Sequence, residues 1–382
     1  MKKIYLDNAA TTKPFIEEYD LIKEQISDLF YNPSAGYMEG IHAKNALNCA
    51  RKTIMSALGV NSGKFIFTSS ATESNNMVFS GLHLRKGQTV VISKGEHPSV
   101  YNSAKRLIQN GINIKEVGLT TDGVVDIDEL KEILMQSKDI ALVSIMHVSN
   151  ETGAVNDIKS LCSLVKSFDK KIIFHSDGVQ AFGKISFRVH DLGVDLYTVS
   201  AHKIYAPRGI AGLWVRDGIT IDPLIYGGGQ EDGLRSSTEN LFGAIAFEFS
   251  LKKVKEDFLK NNDNVLKVKQ EIIDKLKKSE IANYLKINSA ENSSPYILSL
   301  SFKDIKGEVL ANSLEADGIL ISTGSACSTK KAGNRTLEAM GIEKSFVVGS
   351  IRLSFSAYEQ YDTNYIVDTI EKNVKRLEGN NR

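Results

Sequence analysis

The chain has 382 residues, 42% hydrophobic and 24% charged, with 47 basic against 46 acidic side chains and a formal net charge of +1. So balanced a charge argues against a nucleic-acid-binding protein, which needs a strongly basic face, and this length is better read as two domains than as one small core. Three scattered cysteines, Cys49, Cys162 and Cys327, are too few for a disulfide framework or a zinc site and fit a reducing cytoplasm. No apolar run reaches the length of a membrane span, and "MKKIYLDNAATT" lacks the apolar stretch of a secretory signal.

From about residue 60 to 215, short apolar runs alternate with amphipathic stretches. "KFIFT", "TVVIS", "IALVSIMHV", "KIIFHS", "VDLYTVS" and "AGLWV" read as strands, and "ESNNMVFSGLHLRKG" and "IKSLCSLVKSFDK" as helices. This alternation predicts an α/β fold whose mostly parallel sheet is covered by helices on both faces. Ligands collect at the carboxyl ends of such strands, so the residues just past each strand carry the interest. "KFIFT" leads into "SSATES", "TVVIS" into "KGEHPS", "IALVSIMHV" into "SNETG", "KIIFHS" into "DGVQ" and "VDLYTVS" into "AHK". From about residue 250 a long charged helical pattern runs to about 280, interrupted near Asn261, Asn262, Asp263 and Asn264. "YILSLSF", a helical "GEVLANSLEADG", "ILISTGSACST" and "SIRLSFS" then suggest a smaller α+β domain completed by the N-terminal segment. The expected division is a large domain over 16–250 and a small one over 1–15 and 251–382.

Ser200, His202 and Lys203 stand together at the mouth of the strand "VDLYTVS". A lysine amine forms a Schiff base with carbonyls, and the commonest protein-bound aldehyde is pyridoxal 5'-phosphate. That cofactor needs an anion site, which "SSATESNN" can supply through N–H groups at a helix start. It also needs a carboxylate near its pyridine nitrogen (Asp177), a donor for its phenolic oxygen (Gln180) and a flat group against its ring (His97). Each part has a plainer reading. Lys203 can be a solvated lysine, Asp177 a cap, His97 an ordinary loop residue, and Gln180 and Asn150 local hydrogen-bonders. Five matching parts at successive strand ends make coincidence a poor account.

The blocks "YLDNAATT", "FTSSATESNN", "GEHPSV", "SNETGAV", "HSDGVQA", "SAHKIYAPRGIAGLWV", "GGGQEDGLRSSTEN", "STGSACST" and "SIRLSFS" span the chain. In this order they resemble a cysteine desulfurase of the NifS/IscS type, within the class V aminotransferase family of fold-type I pyridoxal-phosphate enzymes. The resemblance implies that Lys203 is the Schiff-base lysine, with Ser200 and His202 on the phosphate. Ala71 and Thr72 would bind the phosphate at the helix start, and Thr238 would complete that site from the partner subunit of a homodimer. Asp177 would pair with the pyridine nitrogen, Gln180 and Asn150 would lie near the phenolic oxygen and substrate, and His97 would stack on the ring and help move protons. Arg352 would grip the substrate carboxylate, a task suited to a bidentate guanidinium; its plainer reading is a strand-edge arginine in a surface ion pair. No metal is expected.

Cys327 lies in a polar run with Lys330 and Lys331 close by, and nearby cations favour a thiolate. Cys49 and Cys162 fall in helical patterns and read as small buried hydrophobes. The resemblance implies that Cys327 takes sulfur from L-cysteine as a persulfide, leaving L-alanine. The sulfur then passes to an acceptor protein, an iron–sulfur scaffold or a tRNA-thiolation enzyme. The rival readings are a selenocysteine lyase, another class V aminotransferase, or a catalytically idle scaffold, the last opposed by the intact Lys203, Asp177, His97 and Cys327 set. Ser70 and Ser237 stand where the family pattern has glycine.

Overall fold

The computed structural model of the chain describes residues 3–16, 19–323 and 334–379. Its strands in chain order are β1 (Ile4–Tyr5), β2 (Lys64–Thr68), β3 (Thr89–Ser93), β4 (Asn113–Val117), β5 (Ile140–Ser144) and β6 (Ile173–Asp177). After these come β7 (Leu196–Ser200), β8 (Ala211–Val215), β9 (Leu285–Ile287), β10 (Ile297–Phe302), β11 (Ile319–Leu320) and β12 (Ser350–Ser354). Strands β2 to β8 form one sheet in the order β2-β8-β7-β6-β5-β3-β4. It is parallel from β7 through β4, and β8 runs antiparallel to both its neighbours. Side chains of period two feed separate cores on its two faces. Val91 packs with Val143, Phe174 and the helices Met38–Ala57, Ile158–Phe168 and Leu241–Glu256. Val90 and Ile92 pack on the other face with the helices Ala71–Gly81 and Pro98–Arg106.

A three-stranded antiparallel sheet, β12-β10-β9, builds a further core from Leu298, Leu300, Ile351 and Leu353. The helices Phe258–Lys278 and Thr363–Gly379 cover it with Ile272, Leu276, Ile366 and Ile370. β1 pairs in parallel with β11. Leu6 and Ala9 enter this core, whereas Phe15 enters the core of the large sheet, so residues 6–15 pass from one core to the other.

Several expectations need correction. "IALVSIMHV" is a strand only as far as Ser144. The Met146 N–H donates to Glu96 Oε1 at 2.7 Å and its carbonyl accepts from Asn156 Nδ2 at 2.7 Å, so side chains occupy the groups a ladder would use. The charged helical run breaks at Asp257, between Leu241–Glu256 and Phe258–Lys278, and not at the asparagines. Asparagine costs a helix at most about 0.7 kcal/mol, less than the burial of Val265, Ile272 and Leu276 on the same helix returns. β4 ("NIKEV") carries no apolar run because it is the sheet edge, pairs only with β3, and fully buries only Val117. Cys49 is exposed rather than buried. The buried stripe of its helix is Gly40, Ala43, Leu47, Ala50 and Ile54, and position 49 falls beside it. Cys162 is buried as expected, and burial pushes its thiol up to about 11.

Candidate active site

Asp177, the last residue of β6, is 6% exposed. Its Oδ2 accepts from Asn75 Nδ2 at 2.8 Å and its Oδ1 from the Val179 N–H at 3.0 Å. Asn75, on the helix Ala71–Gly81, also donates to Ser99 Oγ at 2.9 Å. That leaves the Ser99 hydroxyl proton for His97 Nδ1, 2.8 Å away. The Ser99 backbone N–H also donates to Nδ1, at 3.2 Å, so Nδ1 carries the lone pair and a neutral ring bears its proton on Nε2. Burial holds His97 below its ordinary pKa, against the pull of Asp177. Carboxylate and imidazole are thus fixed by one chain of hydrogen bonds. Gly178 lets the chain turn here, since a Cβ would fall 2.1 Å from the Tyr197 ring.

Lys203 closes a single turn, Ala201–Lys203, directly after β7. Its Nζ donates to the carbonyls of Ala9 at 2.5 Å and Ala10 at 2.6 Å. The Ala9 carbonyl also accepts from Gln180 Nε2 at 2.9 Å, and Gln180 Oε1 accepts from Lys184 Nζ at 2.8 Å. The N-terminal segment is strapped over this turn. The Thr12 N–H and hydroxyl both donate to the His202 carbonyl, and Thr12 Oγ1 accepts from the Tyr205 N–H at 2.7 Å. His202 Nδ1 lies 3.1 Å from Thr11 Oγ1. Burial, and then Lys203, Lys184 and Arg208, push the His202 pKa down to about 3, which keeps the ring neutral. Tyr205 sits at φ 67°, a left-handed conformation that costs about 1–2 kcal/mol. Its hydroxyl is held by donors from Ser356 Oγ and the Ala357 N–H.

At the start of the helix Ala71–Gly81, the Ser70 hydroxyl caps by accepting from the Glu73 N–H at 3.2 Å. Ser70 is extended, so glycine is not required there and the serine adds a cap. The N–H groups of Ala71 and Thr72 have no protein partner among the described residues. An open depression lined by Thr72, Asn76, His97, Ser99 and Arg106 adjoins them. Ser200 is buried at the end of β7 without a capping bond. Thr238 is exposed, and among the described residues no side-chain hydrogen bond joins it to the other candidates. Its loop is nonetheless tied to the helix start. Arg235 Nε donates to Glu73 Oε1 at 2.9 Å, and Glu231 accepts from the two terminal nitrogens of Arg51, on the helix Met38–Ala57, at 2.6 and 2.8 Å.

Ser237, in this loop, stands at φ 143°, which glycine enters far more cheaply. Such a conformation costs about 1–3 kcal/mol, partly offset by the greater unfolded-chain freedom of glycine. Ser237→Gly is therefore expected to stabilise the protein by about 1 kcal/mol. Thermal denaturation checks this, and a lowered melting temperature would show that the serine is held without strain.

Arg352, in β12, is 6% exposed, not a surface strand-edge arginine. One terminal nitrogen donates to the Asn150 carbonyl at 2.8 Å and the other to Asp7 Oδ1 at 2.9 Å, while its buried Nε has no partner among the described residues. Asn150 donates its side-chain N–H to Glu151 Oε1 at 3.1 Å. Burial raises the Glu151 carboxyl above its ordinary pKa. Cys327, Lys330 and Lys331 lie outside the described residues. Both described flanks of that segment reach this part of the site. Ser322 pairs with Arg352 through backbone bonds, Asn334 Nδ2 donates to Glu151 Oε2 at 3.3 Å, and Arg335 donates to the Glu96 carbonyl.

The structure therefore gathers His97, Asp177, Gln180, His202 and Lys203 around parallel strand ends, sets Asn150 with Arg352, and leaves Thr238 apart. Asn75, Ser99 and Lys184 also belong to the site and carry no sign of it by residue type. Their position is the only signal, within a helical turn of Ala71, His97 and Gln180. The donor set fits pyridoxal 5'-phosphate. Asp177 is a buried carboxylate held by two N–H donors, with no cationic side chain within ion-pair distance among the described residues. A protonated pyridine nitrogen is the kind of partner such a group lacks.

The chain matches the aminotransferase class-V family model over residues 4–363. It is 35% identical over 381 residues to the cysteine desulfurase IscS of Dictyoglomus turgidum, covering 98% of this chain and 95% of that protein. A solved NifS-like protein superposes with a TM-score of 0.90 at 31% identity, covering 98% of this chain and all of the other. A structure described as SspA in complex with cysteine gives a TM-score of 0.80 at 29% identity over 94% of this chain. The chain belongs to the class-V aminotransferase family, among its cysteine desulfurases.

Proposed function

We propose that the protein is a pyridoxal 5'-phosphate-dependent cysteine desulfurase that converts L-cysteine to L-alanine and passes the sulfur on. The observation that supports the cofactor is Asp177, a buried carboxylate one strand away from Lys203 that takes two N–H donors and has no cationic side chain within ion-pair distance among the described residues. Lys203 would hold the cofactor covalently, with Asp177 at the pyridine nitrogen and Gln180 and Asn150 at the phenolic side. The N–H groups of Ala71 and Thr72, with Ser200, His202 and Thr238 of the partner subunit, would hold the phosphate. Once bound, the cofactor supplies an electron sink for bonds broken on the substrate.

The chain's own residues do the rest. Arg352 binds the substrate carboxylate through guanidinium N–H groups that the described residues leave without a partner, that of Nε among them. Neutral His97 offers a proton at Nε2 and takes one back, its ring held by Ser99 so that the proton stays at that atom. The Cys327 thiolate forms an S–S bond to the substrate sulfur as the substrate C–S bond breaks. The electron pair stays with the substrate carbon, which takes up a proton and becomes alanine, while the sulfur remains as a Cys327 persulfide.

In this reading residues 16–250 form the cofactor-binding unit, and 1–15 with 251–382 the unit that carries the cysteine. The protein works as a homodimer in the cytoplasm. Leu224, Ile225, Tyr226 and Phe242 are exposed around the loop that bears Thr238, as an interface requires. The acceptor is an iron–sulfur scaffold or a tRNA-thiolation protein. Protein supplied with pyridoxal 5'-phosphate and L-cysteine should develop a visible absorption band. It should then release alanine and, with a thiol reductant, sulfide in equal amounts. Failure to release either from L-cysteine would refute the reading.

A further inference from the structure

Packing does not explain Lys184. It ends the turn that comes after β6, is 5% exposed, and has no carboxylate within ion-pair distance among the described residues. Its Nζ donates to Gln180 Oε1 at 2.8 Å and lies 5.8 Å from the centre of the Tyr296 ring, just before β10. Among the described residues the charged groups that face it are both cations, Lys203 from the turn after β7 and Arg352 from β12. The titratable His202, held neutral, faces it from the same turn as Lys203. Burial, and then these two cations, hold its amine down at about 7. A methionine of similar length would fill the same space without the cost of burying an amine.

The geometry gives the amine a task. Its N–H requires an acceptor, so Gln180 turns Oε1 toward Lys184 and Nε2 toward the Ala9 carbonyl, 2.9 Å away. The same carbonyl accepts from Lys203 Nζ at 2.5 Å. We infer that Lys184 is a positioning residue: it locks the Gln180 amide, and through Gln180 and the Ala9 carbonyl it sets where the Lys203 amine stands, while lending positive potential to that end of the site. The inference rests on the proposed binding of pyridoxal 5'-phosphate at Lys203.

The test compares wild type with Lys184→Met, both loaded with pyridoxal 5'-phosphate, by the visible band and the pH at which it changes. Removing a nearby positive charge disfavours the less protonated form, so that pH is expected to rise by about one unit. The kcat should fall about tenfold, with a smaller change in KM for L-cysteine. Because the two residues act in series, Gln180→Leu with Lys184→Met should shift the band no further than the larger single change. Lys184→Gln keeps an N–H donor, should shift the band less, and serves if the methionine variant does not fold.

The cofactor-free protein gives a second readout. Lys184 holds its proton less tightly when folded, at about 7, than at its ordinary 10.5. The unfolded chain therefore binds more protons between those values, and wild-type stability rises with pH across that window. Lys184→Met should remove this slope and melt above wild type at pH 7, the two converging toward about pH 10. A wild type with no visible band would overturn the cofactor reading itself. A wild-type band left unmoved in Lys184→Met and Lys184→Gln, with only a lowered melting temperature, would overturn this inference alone.

Discussion

Lys203→Ala should give a folded protein that has lost cysteine turnover by on the order of 10³-fold or more, because the covalent anchor of the cofactor is gone. Each tenfold corresponds to about 1.4 kcal/mol of barrier. Little stability should go with it: the Ala9 carbonyl keeps the Gln180 donor, and the exposed Ala10 carbonyl can turn to water when Lys203 is removed. Borohydride reduction of the loaded wild type should fix the cofactor on the Lys203 peptide, and the variant should show no such adduct. Lys184 makes this a sharp test, since its amine, held down at about 7, is a second nucleophile near Lys203. Cofactor trapped on the Lys184 peptide would contradict the assignment of Lys203.

Cys327→Ala should separate sulfur transfer from the rest of the chemistry. The variant keeps Lys203, Asp177 and His97, so it should bind the cofactor with an unchanged visible band and respond spectrally to L-cysteine. Alanine release should nonetheless fall on the order of 10³-fold, for want of a thiolate to take the sulfur. The position of the described flanks supports this expectation, with Ser322 on Arg352 and Asn334 and Arg335 on Glu151 and Glu96. Alanine made at the wild-type rate would refute the role of Cys327.

Strand ends were the legible part of the sequence. "HSDGVQ" and "SAHK" each place an ionisable group directly after an apolar run, and a parallel sheet brings such ends to one edge. Asn75 and Ser99 were not legible, because a side chain that bridges Asp177 and His97 is defined by distances between segments and not by its own pattern. The same holds for Met146, where Glu96 and Asn156 end a strand that its residues alone would prolong. It holds again for the asparagines after Asp257, kept helical by the core beneath them. Cys49 shows the limit of periodicity. Its helix was legible, but which stripe faces the core is settled by the neighbouring helix Leu241–Glu256, and the thiol was left outside.

The most direct test of the desulfurase mechanism is to find where the sulfur goes. Wild-type protein loaded with pyridoxal 5'-phosphate, given L-cysteine and no acceptor, would be digested and its cysteine peptides weighed before and after reduction. The mechanism predicts one extra sulfur atom on the Cys327 peptide, lost on reduction, together with one alanine for each sulfur gained. Extra sulfur on the exposed Cys49 or the buried Cys162, or alanine formed with no sulfur on Cys327, would contradict it.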